Sequence, residues 1–264
     1  MRTIVIPTDF SATANHAAQY AAEMLRGEHD VNVILYHVYE KPGHLAAVTE
    51  SLETLKKEML SKAIVRVECI AVEGDDVIEE IERVVRHRQA NLVIMGITGK
   101  HALAQMFMGS NTLKLVDSDL VPVLIIPNNA TFTGIKNVAL TSDFKNVKVS
   151  TPTAPIKSIL QMFRPAFHII NVDSLHYVSL TDEYKKERED LAQMFNEFNP
   201  EFYFIGLNDF HEAIDQFVKD KQIDMLITVP RKHSFLSSLY KRSHTKTLVY
   251  QSTVPIFATP EKYN

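Results

Sequence analysis

The sequence predicts an α/β protein built from two tandem copies of one module, each with a parallel β-sheet. Three observations lead to this prediction. The chain has 264 residues, a length that suits two domains of ordinary size. Short runs rich in valine and isoleucine alternate with longer segments of helical period, as in βαβ units. The motifs of the first half return in the same order in the second half.

The internal repeat keeps a nearly constant register. Asp9 aligns with Asp143, an offset of 134 residues, and Leu92 aligns with Met225, an offset of 133 residues. The matched segments are 5–10 with 139–144, 36–38 with 170–172, 91–94 with 224–227, and 121–123 with 254–256. This register indicates a tandem duplication. We therefore predict one module over residues 1–128 and a second over residues 135–264.

The strands of the first module are predicted from their composition. Valine and isoleucine favour extended structure, and they dominate five short segments: 3–6, 31–38, 65–72, 92–95 and 123–126. Helical segments separate these strands, so each strand runs parallel to the next. The sheet is then buried on both faces.

The helices of the first module are predicted at residues 11–26, 51–63, 75–88 and 109–119. Ser11 is a suitable N-cap for the first of them. The third begins with carboxylates and ends with Arg86, His87 and Arg88, which matches the helix dipole. In the second module, prolines confine the first helix to residues after about Thr153. Residues 180–195 are expected to form a charged amphipathic helix over the sheet.

Composition excludes several classes of protein. A net charge of −4 and a pI near 6.3 give no basic face for nucleic acid. The single cysteine, Cys69, cannot form an internal disulfide and fits a reducing compartment. No signal sequence or membrane-length apolar stretch is visible. We expect a cytoplasmic protein with neither nucleic acid nor membrane as a partner.

A glycine constellation follows the fourth strand. Gly96, Gly99 and Gly109 stand in the pattern G-x2-G-x9-G-S. Glycine allows positive φ and close approach of backbone N–H groups to a phosphate, and the N-terminus of the next helix favours an anion. The loop would also supply polar and charged side chains, namely Lys100, Ser110 and Asn111. This pattern predicts a phosphate-binding loop; ordinary turns are the alternative interpretation.

Asp9 ends the first strand at the same edge of the sheet, so it is predicted to lie near the glycine loop. Its carboxylate could accept hydrogen bonds from a ribose or an adenine. The alternative is a turn or capping residue before Ser11. Asp143 retains the carboxylate in the second module, where the glycines are absent, and this retention fits a structural role as well.

The second module lacks the glycine constellation. Gly96 aligns with Val229, Gly99 with Lys232 and Gly109 with Arg242, whereas Ser110 is retained as Ser243. The two modules are therefore expected to differ, with one binding site in the first. The second site is either lost or altered, because its cationic side chains could still attract an anion.

The motifs resemble those of the ATP-binding universal stress proteins. They are Pro7-Thr8-Asp9-Phe10-Ser11, Tyr36-His37-Val38, the constellation from Met95 to Ser110, and the closing strand at 121–127. The resemblance spans nearly the whole chain as two modules, but the nucleotide motif occurs only in the first. It implies a universal stress protein-like (adenine nucleotide alpha hydrolase-like) fold. Each module then has a five-stranded parallel sheet of order 3-2-1-4-5 flanked by helices.

The resemblance also implies a ligand and a site. The aspartate would contact the nucleoside, the backbone of Val38 would face adenine, and the glycine loop would hold the phosphates. The nucleotide-binding residues so implied are Pro7, Thr8, Asp9, Val38, Met95, Gly96, Gly99, Lys100, Gly109, Ser110 and Asn111. ATP or another adenine nucleotide is expected, with or without Mg²⁺. Pairing of the fifth strands would give an intrachain pseudo-dimer, and a further homodimer is compatible with it.

The function expected from these features is nucleotide binding in a stress-response or regulatory role. No nucleophile with a matched general base is evident, so no catalytic residue and no dedicated catalysis are predicted, although weak ATP hydrolysis is compatible with the site. One alternative is a slow nucleotide hydrolase on the same fold. Another is an interaction module with a vestigial nucleotide loop. No metal site is predicted, because the histidines, among them His168, lack metal-ligand spacing.

Overall fold

The computed structural model describes residues 2–63, 65–97, 110–172, 181–206, 210–230 and 252–263. The chain divides into two compact units, Met1–Phe132 and Thr133–Asn264. Strands alternate with helices along both units. The predicted α/β class is therefore confirmed.

The first unit contains one parallel sheet. Its strands are β1 (Arg2–Pro7), β2 (Val31–Tyr39), β3 (Arg66–Glu73), β4 (Leu92–Ile97) and β5 (Val123–Pro127). They lie in the order β3-β2-β1-β4-β5, and each neighbouring pair is parallel. The order expected from the resemblance is confirmed for this unit. It brings the carboxyl ends of β1 and β4 side by side, where strand order reverses.

Helices cover both faces of this sheet. They are α1 (Ala12–Met24), α2 (Leu45–Leu60), α3 (Val77–Arg88) and α4 (Ser110–Asp117), with a 3-10 turn at Pro42–His44. The consecutive residues Ile4, Val5 and Ile6 of β1 are all buried, which requires cover on both sides. The prediction of α2 at residues 51–63 was wrong at its start, because the run 45–48 of leucine, alanine and valine also joins the helix.

Two predicted helix starts agree with the structure. The Ser11 hydroxyl accepts a hydrogen bond from the Ala14 amide at 3.2 Å and so caps α1. Asp76 caps α3 by accepting from the amides of Ile78 and Glu79. Each cap satisfies backbone donors that the first helical turn leaves free.

The second unit repeats the arrangement. Its strands are β6 (Asn137–Thr141), β7 (Ala166–Val172), β8 (Glu201–Ile205), β9 (Met225–Thr228) and β10 (Ile256–Ala258). They lie in the parallel order β8-β7-β6-β9-β10, again 3-2-1-4-5 by position in the module.

The helices of the second unit are α5 (Val147–Ser150), α6 (Thr153–Phe163), α7 (Asp182–Met194) and α8 (Phe210–Asp220), with a 3-10 turn at Asn196–Phe198. The predicted start of α6 near Thr153 is confirmed, since Pro152 is its N-cap. The short helix α5 was not predicted. Within the ranges described above, no helix is long and apolar enough to cross a bilayer.

Candidate functional site

A cleft opens at the carboxyl edge of the first sheet, where β1, β2 and β4 end. It encloses about 690 Å³ of space between atoms, a volume that includes open solvent at its mouth. Seven of the predicted site residues line it: Pro7, Thr8, Asp9, Val38, Met95, Gly96 and Asn111. The sheet order thus brings together residues from three strands and one helix.

The other four predicted residues belong to the segment that follows β4. Gly99, Lys100 and Gly109 lie outside the described residues. Ser110 is the first residue of α4, directly before the cleft-lining Asn111. The N-terminal end of α4 therefore lies at the cleft, as the glycine motif requires.

Several lining residues were not in the predicted set. They are Ser11, Thr13, Ala14, Tyr36, His37, Val77, Ile81 and Thr112. Tyr36 and His37 belong to a motif that drew attention only to Val38. Val77 and Ile81 stand one helical turn apart on α3, and nothing in the sequence distinguishes them from ordinary core residues.

The loop between β1 and α1 is held by a local network. The Thr8 amide donates to the Tyr36 carbonyl oxygen at 2.9 Å, and the Thr8 hydroxyl accepts from the Phe10 amide at 3.0 Å. Oδ1 of Asp9 accepts from the Ser11 amide at 3.0 Å. Phe10 itself adopts a left-handed conformation with φ of 61°. The network fixes an uncommon backbone shape at the mouth of the cleft.

Asp9 therefore has a structural role through one oxygen. Its side chain is exposed, and in the described part of the chain Oδ2 has no hydrogen-bond partner. A carboxylate oxygen has two lone pairs and can accept from a hydroxyl or an amino group. The turn role and a ligand role are thus compatible in the same side chain.

His37 fixes the same loop from the second strand. Its Nδ1 lies 2.7 Å from the Thr8 carbonyl oxygen, and its ring stacks on Phe10 with 4.6 Å between centroids. A carbonyl oxygen only accepts, so Nδ1 must carry the proton in this contact. The other ring nitrogen, Nε2, takes no part in this contact.

The backbone of Val38 faces the cleft side of β2. The Tyr36 carbonyl points toward β1, since it accepts from Thr8. Backbone groups two residues apart on a strand point the same way, so those of Val38 also point toward β1. However, β1 ends at Pro7, whose strand partner is Tyr36. The N–H and C=O of Val38 therefore face the cleft beyond the end of β1, where no β1 residue pairs with them.

Gly96 has a role that the glycine motif did not predict. It lies inside β4, one residue beyond the predicted end of that strand, and its φ is not in the left-handed region, so the alternative interpretation as an ordinary turn residue does not apply to it. A Cβ at this position would lie 2.5 Å from the Thr13 carbonyl oxygen and 2.7 Å from its Cγ2. Gly96 is required because α1 packs directly on the β4 backbone. The Thr112 hydroxyl donates to the Gly96 carbonyl oxygen at 3.2 Å.

A buried carboxylate lies behind the cleft. The Glu80 side chain is 8% exposed and pairs with Nη1 of Arg83 at 2.8 Å. Tyr36 also hydrogen-bonds Glu80, and burial together with this carboxylate raises the pKa of Tyr36 to about 12. Gly74 leaves room for the arrangement, because a Cβ there would lie 2.9 Å from Cγ of Glu80. Tyr36 is consequently a neutral hydrogen-bond donor at physiological pH.

The second unit contains the same loop network. The Phe144 amide donates to the Ser142 hydroxyl at 3.2 Å, and the Lys145 amide donates to Oδ1 of Asp143 at 3.2 Å. Phe144 is left-handed, with φ of 50°. Nδ2 of Asn171 donates to the Ser142 carbonyl oxygen at 2.9 Å, in the place of the contact that His37 makes. The loop conformation is therefore common to both modules.

The surroundings of the loop differ between the modules. The β3 partner of His37 is Ala71, whereas the β8 partner of Asn171 is Phe204. Phe144 stacks on Phe204 with 5.3 Å between centroids and is only 1% exposed. Aromatic side chains thus fill the second module beside the loop. Val229 follows β9, whereas Lys232, Arg242 and Ser243 lie outside the described residues.

No cluster of three or more metal-ligating side chains occurs among the described residues, histidines included. The carboxylate that lines the cleft in this part of the chain is Asp9. The described lining of the cleft therefore offers a hard cation one protein carboxylate, and further oxygen ligands would have to come from water or a bound molecule.

Comparison with known proteins relates the first half of the chain to one family. The sequence profile of the universal stress protein family matches residues 1–127. A universal stress protein from Thermus aquaticus is 27% identical over 135 residues, covering 47% of this chain and 98% of the relative. One from Methanocaldococcus jannaschii is 28% identical over 155 residues, covering 47% of this chain and 94% of the relative.

Solved structures extend the likeness to the fold of the whole chain. A universal stress protein from Archaeoglobus fulgidus superposes with a TM-score of 0.71 at 16% identity, covering 98% of both chains. The cytoplasmic domain of a prokaryotic cation chloride cotransporter superposes with a TM-score of 0.57 at 8% identity, covering 97% of this chain and 94% of that domain. At such identities the likeness concerns the fold alone.

Proposed function

The chain belongs to the universal stress protein family through residues 1–127, and on this basis we propose that its first module binds an adenine nucleotide. The observation that supports the proposal most strongly is the convergence of seven predicted residues on one cleft. ATP is the expected ligand, and a stress-response or regulatory role is the expected function. The proposal places the nucleoside between β1 and β2 and the phosphates at α4.

The chemistry of the cleft suits a nucleoside at its β2 side. Val38, Val77 and Ile81 provide apolar surface for a base, and the backbone groups of Val38 can pair with its edge. Thr8 and Asp9 provide oxygen atoms for ribose hydroxyls. The N-terminal end of α4, with Asn111 beside it, favours the phosphates. Mg²⁺, where it accompanies the nucleotide, would neutralise part of the phosphate charge.

The second module is proposed to have lost this site. Val229 replaces the glycine of β4, and Phe144 with Phe204 occupies the space beside the loop. One nucleotide per chain is therefore expected. From the family resemblance we further propose that the two modules form a pseudo-dimer through their fifth strands, and that the protein works in a reducing cytoplasm.

We propose no dedicated catalysis at the site. The titratable side chains lining the described part of the cleft are Asp9, Tyr36 and His37. The proton on Nδ1 of His37 points at a carbonyl oxygen, and the phenol of Tyr36 has its pKa raised to about 12. Neither residue is arranged as a nucleophile with its base. Slow attack of water on the phosphates of a bound nucleotide is compatible with this arrangement.

The experiment is a count of nucleotide per chain. Nucleotide released by heat from the purified protein, and calorimetric titration with Mg-ATP, should both give at most one equivalent. Gly99→Val and Gly109→Arg should abolish binding, because each adds a side chain where the phosphate loop needs bare backbone. The matched control is Arg242→Gly at the position aligned with Gly109, which should not create a second equivalent. Two equivalents per chain, or no binding in the calorimetric titration with Mg-ATP, would contradict the proposal.

A hydrolase function is tested in the same preparation. Conversion of ATP to ADP or AMP at many turnovers per minute, abolished by Asp9→Asn, would replace the regulatory proposal with an enzymatic one. We expect a rate too slow for that, with the bound nucleotide still intact after hours.

A further inference from the structure

The two modules hold the same loop with different side chains. In the first, Nδ1–H of His37 donates to the Thr8 carbonyl oxygen at 2.7 Å; in the second, Nδ2–H of Asn171 donates to the Ser142 carbonyl oxygen at 2.9 Å. Nδ1 of histidine and Nδ2 of asparagine occupy the same place on their side chains, one bond beyond Cγ. An asparagine is therefore sufficient to hold this loop.

The histidine has a second ring nitrogen, Nε2, that has no counterpart in the asparagine. With its proton on Nδ1, the neutral ring has an unprotonated Nε2 that accepts a hydrogen bond. His37 lines the cleft and is half-buried, and in the part of the chain that the structure describes Nε2 has no protein partner. The ring cannot turn freely, because it stacks on Phe10 with an interplanar angle of 24°.

We propose that His37 has two roles in the first module: it positions the Thr8–Asp9 loop through Nδ1, and it accepts a hydrogen bond from the ligand through Nε2. The second role rests on the proposed nucleotide function of the cleft. The first role does not, because the contact with Thr8 lies entirely within the protein. The donor on the ligand is an O–H or N–H group of the nucleoside, either a ribose hydroxyl or the exocyclic amine of adenine.

Asn171 supplies the matched substitution for the test. His37→Asn keeps a donor for the Thr8 carbonyl and removes Nε2, whereas His37→Ala removes both. We expect His37→Asn to melt within about 2 °C of the wild type and to bind ATP about tenfold more weakly, the effect of one lost hydrogen bond. His37→Ala should bind at least as weakly and also melt at a lower temperature. Asn171→Ala, the control in the second module, should lower stability and leave ATP affinity unchanged.

Nucleotide analogues identify the donor. 2′-Deoxy-ATP, 3′-deoxy-ATP and inosine triphosphate each lack one candidate group. The analogue without the donor should bind the wild type about tenfold more weakly than ATP, yet bind His37→Asn as well as ATP does. If none of the three shows this pattern, or if His37→Asn binds ATP within twofold of the wild type, the ligand role is overturned.

The positioning role is tested without any ligand. Nitrogen-15 spectra of the imidazole at pH 8 should show His37 protonated at Nδ1 and unprotonated at Nε2, and nucleotide should then shift the Nε2 signal. Protonation at Nε2 in the free protein would overturn the positioning role. A wild-type protein that binds no nucleotide would contradict the proposed function and the ligand role together, while the tautomer would still decide the positioning role.

Discussion

The Thr13 carbonyl lies against Gly96 so closely that a Cβ on Gly96 would be 2.5 Å from the oxygen. The first turn of α1 therefore packs on the backbone of β4, and both line the cleft. The contact joins two of the structural elements that line the cleft. It also explains why the position is a glycine although its backbone is ordinary strand.

Gly96→Ala should destabilise the first module by about 1–3 kcal/mol, because the added methyl group must displace either α1 or β4. Chemical denaturation followed by fluorescence or circular dichroism measures the change. Gly43→Ala is the control: no atom lies within 4 Å of its Cβ position, so its effect should stay below about 0.5 kcal/mol. Equal stability of Gly96→Ala and the wild type would contradict the close packing.

Asp9→Asn should separate the two roles of this side chain. The amide oxygen can still accept from the Ser11 amide, so stability should change by less than about 0.5 kcal/mol. Loss of the negative charge should weaken nucleoside binding about tenfold, because hydrogen bonds to an ionised acceptor are the stronger kind. Calorimetry with ATP measures the affinity. Asp143→Asn in the second module should leave ATP affinity as it is, and a matching loss there would refute the assignment to the first module.

Tyr36→Phe should destabilise the first module by about 1–3 kcal/mol. The substitution removes the hydroxyl that donates to Glu80, and a buried carboxylate then loses one of its partners. Tyr39→Phe, at the half-buried end of the same strand, is the control and should be nearly neutral. In the wild type, ultraviolet titration should show that Tyr36 does not ionise below pH 11, because burial and Glu80 raise its pKa to about 12.

His168 should make the second module sensitive to acid. The residue is 5% exposed, and within the described residues neither ring nitrogen has a hydrogen-bond partner. Burial lowers the pKa of His168, and Lys221 acts in the same direction, while Glu201, 3.6 Å from Nδ1, opposes them. The rings of Tyr203 and Phe217 lie beside it, with centroids 5.6 Å and 6.1 Å from that of the imidazole.

The sign of the effect follows from this lowered pKa. Above the ordinary histidine pKa of about 6.5, both the folded and unfolded states are neutral and stability is complete. As the pH falls below that value, the unfolded state takes up a proton first, and stability decreases by up to about 1.4 kcal/mol per pH unit until the folded state is protonated too. Hydrogen exchange of β7 amides between pH 7.5 and 5 measures the loss.

His168→Ile provides the comparison for this prediction, because Ile34 is the aligned residue of the first module. The variant should lose clearly less protection than the wild type on acidification. If the two proteins show the same pH dependence, other groups control the acid response and the prediction fails.

The sequence predicts the architecture well because the internal repeat and the alternation of strand-like and helical segments can both be recognised from residue types and their spacing alone. Strand order followed from the family resemblance, whereas the parallel sheet by itself predicted that the ends of the first and fourth strands, with Thr8 and Gly96, lie at one edge. The start of α2 was missed because residues 45–50 follow a proline and a glycine, which favour a turn. Tertiary packing of Val48 and Leu52 extends the helix through this stretch.

The roles of single side chains at the site were harder to predict. Gly96 was attributed to the phosphate-binding loop alone, because the approach of Thr13 depends on packing between distant parts of the chain and cannot be seen in the sequence. His37 was read only as part of a strand motif, although its alignment with Asn171 was available as a signal. Histidine and asparagine both carry a nitrogen donor one bond beyond Cγ, so their alignment suggests that both donate to the same backbone carbonyl. The sequence alone does not show which carbonyl that is.

The left-handed Phe10 and Phe144 have a consequence for how such a duplicated protein can diverge. The loop conformation rests on contacts within the protein in both modules, so none of the hydrogen bonds that hold it has to come from a nucleotide. A ligand arriving at the first module meets a preorganised loop and need not supply the free energy to shape it. For the same reason, the second copy could lose its ligand during evolution without losing its fold, leaving its surface free to change under other selection.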